Sequence, residues 1–99
     1  MVTYVRVRTI QPGQFENAVN FLREYKGFLK SEYDMDVNFG TEVGRLGTVV
    51  GLTQFENAQQ WEDTLNTMRT NPRYIELMDM GASIFDGEIQ EHLVLDLPL

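Results

Sequence analysis

The sequence predicts an α+β domain in which four strands form one antiparallel sheet, in the order βαββαβ, with helices on one face. Three observations lead there. The pentapeptide Gln14-Phe15-Glu16-Asn17-Ala18 recurs letter for letter at Gln54-Phe55-Glu56-Asn57-Ala58. A run rich in β-branched or aromatic residues precedes each copy, and an amphipathic helical pattern follows it. The chain thus divides into two similar strand-helix-strand halves, whose right-handed crossovers bring all four strands into a single sheet.

The first strand is expected over Val2 to Ile10, where Thr3, Val5, Val7 and Thr9 alternate with Tyr4, Arg6 and Arg8. Gln11-Pro12-Gly13 breaks it, and a helix follows from Pro12 or Gly13 to Ser31. Its apolar stripe is Phe15, Ala18, Val19, Leu22, Tyr25 and Leu29. Phe21 and Phe28 lie off that stripe and demand either a wide core face or a partner subunit. Tyr33 to Val43 is the second strand, with Val37, Phe39, Thr41 and Val43 in phase, and Gly44-Arg45 and Gly47 mark a hairpin. Leu46 to Leu52 is the third; its internal glycines predict a bulge or a close approach to the backbone.

Thr53-Gln54-Phe55-Glu56 matches a capping box and opens a helix to Thr70, with Phe55, Ala58, Trp61, Leu65 and Met68 on one face. Asn71-Pro72 suits an N-cap followed by a first helical position, so an additional short helix carries Tyr74, Ile75, Leu77 and Met78, with Gly81 weakening its end. Ile84-Phe85-Asp86-Gly87 reads as a turn, and Glu88 to Leu97 as the last strand. With its polar row Tyr4, Arg6 and Arg8, the first strand is expected to turn these residues away from the helices. A bare sheet face that also holds apolar groups favours a homodimer in which two sheets pack face to face.

The 99 residues make one domain spanning 1–99, with 42% hydrophobic and 23% charged residues. A domain of this size buries only roughly 60–65% of the surface its unfolded chain exposes, so a partner subunit would add useful burial. A net charge of −7 argues against binding nucleic acid phosphates or an anionic membrane. No apolar run approaches the roughly 20 residues of a membrane span. With no cysteine there is neither a disulfide nor a thiolate site, which fits a reducing cytoplasm. No metal-ligand spacing, phosphate loop, nucleotide fingerprint or nucleophile elbow is present, so no metal or cofactor is expected.

Several residues together carry a resemblance. Tyr4-Val5-Arg6-Val7-Arg8 leads into Gln11-Pro12-Gly13, and Thr41-Glu42-Val43-Gly44 follows; then come Phe55-Glu56-Asn57, Trp61-Glu62 and Asn71-Pro72-Arg73-Tyr74 ahead of a short apolar helix. In this layout the chain resembles the dimeric α/β-barrel superfamily, and within it NIPSNAP-like and antibiotic-biosynthesis-monooxygenase-like small domains. The resemblance implies a ferredoxin-like protomer whose sheet pairs with a second copy to form a barrel. It also implies a ligand cleft between the sheet and the helices. Haem-degrading members carry a histidine after the tryptophan, and Asn71 to Ala82 has none.

Candidate site residues follow. His92, the only histidine, suits a general base; its structural alternative is a polar residue at a sheet surface or subunit contact. Tyr4, Arg6 and Arg8 form a row able to hold an anionic or carbonyl-bearing ligand, or to pair with Glu42 or Glu91. Trp61 and Tyr74 would line the cleft, or simply pack the core. Two functions are expected from these residues. One is the binding of a small apolar or aromatic molecule. The other is a cofactor-independent monooxygenase, or an isomerase or cyclase, acting on an aromatic or polyketide-like substrate. In that second function His92 moves a proton and Arg6 or Arg8 orients a substrate oxygen.

Overall fold

Alternation, capping and turn chemistry locate seven elements in a computed structural model that describes all 99 residues. They are β1 (Val2–Ile10), α1 (Phe15–Tyr33), β2 (Val37–Glu42), β3 (Arg45–Phe55), α2 (Ala58–Met68), α3 (Pro72–Gly81) and β4 (Phe85–Leu95). The sheet order is β2-β3-β1-β4 with every neighbour antiparallel, as the ferredoxin-like expectation requires. All three helices lie on one face of the sheet.

β1 ends where expected, because Pro12 lacks an amide donor and Gly13 takes φ 81°. α1 begins at Phe15 and runs two residues beyond Ser31. It is closed by Asp34 in the left-handed region, with the Met35 amide donating to the Leu29 carbonyl. Phe21 and Phe28, off the expected stripe, are among its most buried residues, whereas Phe15 is 56% exposed. The core face is therefore wide, because α3 packs beside α1. The Phe21 ring lies over Gly81 and edge-on to Phe85, and Arg73 of α3 pairs with Glu24 of α1.

β3 is longer than expected. Val49, Gly51, Thr53 and Phe55 continue the inward alternation, so the strand reaches Phe55 and the expected capping box at Thr53 does not form. A related N-cap forms four residues later, with the return bond made to the residue before the cap. Asn57 caps α2 by accepting from the Gln60 amide (2.8 Å), and the Gln60 side chain accepts from the Glu56 amide (2.6 Å). The two pentapeptide copies are consequently not equivalent in the fold. Phe15 starts a helix and is exposed, whereas Phe55 ends a strand and is 5% exposed. Asn71 caps α3 as expected, accepting from the Arg73 amide at 2.9 Å. The expected turn at Ile84–Gly87 holds for Ile84, but it lies earlier, over 82–84, and β4 already starts at Phe85, which pairs with Ile10 and packs into the core.

The largest correction concerns the faces of the sheet. Tyr4, Arg6 and Arg8 point toward the helices, in phase with Val2 and Ile10, which are 4% and 8% exposed. Their neighbours in register, Val49, Gly51, Thr53 and Phe55, form the same inward surface. The valine side of β1 is the open one. Val5 and Val7 stand there beside Leu52, Val50 and, across β4, Val94. Polarity alone misassigned the faces because the arginines find partners inside. Arg8 donates to the Asp86 carbonyl at 3.0 Å and lies 5.0 Å from the centroid of the Phe85 ring, and Arg6 sits 3.8 Å from Glu91.

Candidate functional site

Five of the six site residues expected from sequence come together beneath the helices. The Tyr4 and Trp61 rings lie 5.8 Å apart, so the tryptophan of α2 rests on β1. Tyr4, Arg6 and Tyr74 border one hole of about 50 Å³, and Arg6 and Arg8 border another of the same size. His92 is the exception. It pairs in register with Val5 and is exposed on the opposite face of the sheet, so it does not meet Arg8 within a protomer. Of the two expected arginine partners, Glu91 is beside Arg6, while Glu42 turns to Arg45 at 3.7 Å.

The cluster is polar and half-buried. Burial pushes the Tyr4 phenol well above its ordinary range, and the Glu91 carboxylate adds to the effect while Arg6 opposes it. Tyr25 moves the same way, from burial and then from Tyr74. Arg8 moves down, because burial and the neighbouring Arg6 both disfavour its charge. Three buried donors in this region, Arg6 Nε, Arg8 Nε and Trp61 Nε1, have no protein acceptor within hydrogen-bond distance, the Glu91 carboxylate standing 3.8 Å from Arg6 Nε. Such donors are costly unless something accepts from them. Each 50 Å³ hole has room for a water molecule but not for a substrate.

The roomier space lies next door. A cavity of about 310 Å³ opens between the first half of α1 and the β2–β3 hairpin, on the helix side of the sheet. Phe15, Val19 and Leu22 of α1 form one wall, and Phe39, Leu46 and Val49 form the other. The volume is at the lower end of small-molecule sites (roughly 300–1,000 Å³) and the lining is mostly apolar. Arg23, Lys26 and Thr41 stand at its exposed rim. The Thr41 hydroxyl is spent locally, 2.9 Å from the carbonyls of both Leu46 and Thr48, which fixes the hairpin that forms the wall.

Phe39 divides the two regions. Its ring lies across Gly51, where a Cβ would come within 2.9 Å of Phe39 Cε1. This is the close approach that the glycine predicted, and an aromatic covering a strand glycine is a familiar way to pin register. Phe39, Leu22 and Val49 border both the cavity and the arginine-lined hole. The resemblance implies a cleft between sheet and helices but not this lining, because the helical stripe assigns Phe15, Val19 and Leu22 to the core. The available signals were an apolar residue, Leu46, at a hairpin and a phenylalanine at the very start of a helix.

A larger depression of about 570 Å³ runs around the sheet edge from Asn38 and Leu52 to Gln60 and Thr64. Its lining is mainly polar, and it includes Asp34 and Asp36, which flank Lys30 Nζ at 2.9 and 3.2 Å. It lacks the apolar walls of the cavity under α1.

No family model matches the chain, and no curated protein matches it in sequence. Solved structures share its fold. An uncharacterized NIPSNAP domain protein from Burkholderia xenovorans superposes with a TM-score of 0.84 at 11% identity, over 99% of this chain and 96% of that one. A NIPSNAP family protein from Agrobacterium tumefaciens gives 0.81 at 11% identity, over 98% and 93%. An antibiotic biosynthesis monooxygenase gives 0.81 at 12% identity, over 99% and 100%. The chain therefore has the ferredoxin-like α+β fold of these NIPSNAP-like and antibiotic-biosynthesis-monooxygenase-like structures.

Proposed function

We propose that the protein is a small-molecule-binding module that works as a homodimer. Two copies close their valine faces on each other into a barrel, and each protomer takes an apolar or aromatic molecule between sheet and α1. The cavity of about 310 Å³, walled by Phe15, Val19, Leu22, Phe39, Leu46 and Val49, carries this reading. The dimer is supported by the exposed face itself: Leu52 is 41% and Val94 49% exposed beside Val5, Val7 and Val50. A contiguous apolar patch of this kind ordinarily marks an interaction surface. Titration with naphthol, followed by amide NMR, tests the ligand half. Saturable shifts should centre on Phe15, Thr41 and Leu46 and vanish in Val19→Trp; shifts that never saturate, or that spread evenly, would refute it.

A second reading is turnover: a cofactor-independent monooxygenase, or an isomerase or cyclase, on an aromatic or polyketide-like substrate. The buried donors Arg6 Nε, Arg8 Nε and Trp61 Nε1 favour it, because they could receive a substrate oxygen. The name of one fold neighbour, an antibiotic biosynthesis monooxygenase, points the same way. In this reading Arg8 or Arg6 orients the oxygen, Trp61 and Tyr74 line the site, and Phe39 swings aside to admit the ring. His92, across the sheet, takes no part. Oxygen uptake with an electron-rich naphthol, abolished in Arg8→Gln, would establish turnover; no uptake above buffer would leave binding alone.

A further inference from the structure

We infer that the ligand of the cavity under α1 carries an anionic group, a carboxylate, on its apolar body; this rests on the binding function proposed above. Arg23 and Lys26 are the charged residues lining the cavity, and no Asp or Glu joins them. That is unusual in a chain with 15 acidic and 8 basic residues. Neither cation forms an ion pair, nor do Arg8 and Arg69, whereas Arg6, Lys30, Arg45 and Arg73 each pair with a carboxylate. Spaced three apart on α1, Arg23 and Lys26 share a helix face, where like charges repel and weaken the helix. Lys30 continues the row and is neutralised by Asp34 and Asp36; the two at the cavity are left without a counter-charge. An anion at the rim, with its body among Phe15, Leu22 and Phe39, would supply what the chain omits.

Arg23 and Lys26 are solvent-exposed, so each contact with the anion is worth a small factor and weakens with salt. Together they should favour an acid over its alcohol roughly five- to tenfold at low ionic strength. The test is calorimetric titration of the intact protein with phenylbutyrate and with phenylbutanol, which share a body and differ in the head. Wild type should bind the acid more tightly by that factor. The ratio should fall to about one in Arg23→Gln/Lys26→Gln and also at high salt. Lys30→Gln, on the same helix but off the cavity, should keep the ratio, and circular dichroism confirms that both variants fold. Equal affinity for acid and alcohol in wild type would overturn the anionic head and leave the cavity reading standing. Binding of neither would overturn both.

Discussion

Replacing Gly51 by valine tests the wall that separates the cavity from the arginine cluster. A Cβ at this position would lie 2.9 Å from Phe39 Cε1 and 3.2 Å from Cδ1. Carbon atoms in contact rest at about 3.5–4.0 Å, so the ring must retreat by roughly 0.5–1 Å before the valine methyls are counted. Tyr25 stands on one side, with its ring centroid 6.3 Å away, and the largest free space beside Phe39 is the cavity of about 310 Å³. The ring should therefore move into the cavity. Overpacking of this kind costs about 1–3 kcal/mol. Removing glycine from a strand returns about 0.5–1 kcal/mol. The net expectation is a loss of about 1 kcal/mol. With a urea slope of about 1–1.5 kcal/mol/M, the midpoint should drop by just under about 1 M. Urea unfolding at fixed protein concentration measures the stability, and naphthol titration should show affinity down at least about tenfold. Gly51→Ala separates the contact from β-branching and should show a smaller drop. A Gly51→Val protein that is more stable than wild type and binds as well would refute the placement of Phe39 and the wall built on it.

Other outcomes follow from the same geometry. Leu52→Asp puts a carboxylate into the centre of the valine face. In the proposed dimer, twofold symmetry counts it twice, so the dissociation constant should rise by at least about a hundredfold in sedimentation equilibrium while the far-ultraviolet spectrum stays unchanged. Trp61→Ala removes a half-buried ring packed on Tyr4 and should cost about half of the roughly 3–5 kcal/mol typical of a fully buried aromatic, read by urea unfolding. Tyr4 and Tyr25 resist ionisation in the folded chain, so the unfolded chain loses those protons first as the pH climbs past about 10. The contribution of these two phenols should be constant below that pH and then fall, by up to about 1.4 kcal/mol per pH unit for the more buried Tyr25 and by less for the solvent-screened Tyr4, visible in melts paired with phenolate absorbance.

The element order, the three helices and the break at Pro12-Gly13 were legible from alternation and turn chemistry, while the sheet order rests on the right-handed crossovers and the family resemblance. Asn71-Pro72 marked the extra helix because both residues act through local backbone chemistry, which tertiary contacts rarely override. Failures arose where long-range partners decide. Thr53 looked like a cap, yet pairing with Tyr4 and Val37 kept it in a strand. Arg6 and Arg8 looked like a solvent row, yet Glu91, Phe85 and the Asp86 carbonyl receive them inside. The site was half legible. Tyr4, Arg6, Arg8, Trp61 and Tyr74 do gather, because period-two and period-3.6 patterns point them to one layer. The expected meeting of His92 with that group failed with the face assignment, since a one-residue phase error sends a strand residue to the other side. The cavity itself is made by residues from α1 and the hairpin that are far apart in sequence, so Phe15 and Leu46 each signal it separately but neither locates the gap between them.

In the proposed dimer two copies bury the face formed by Val5, Val7, Val50, Leu52 and Val94, leaving the helix side of each to receive a ligand. Sedimentation equilibrium of the wild-type protein at micromolar concentration tests it most directly. A single species of twice the 11.5 kDa chain mass is expected. A species of 11.5 kDa that persists as the concentration is raised would contradict it.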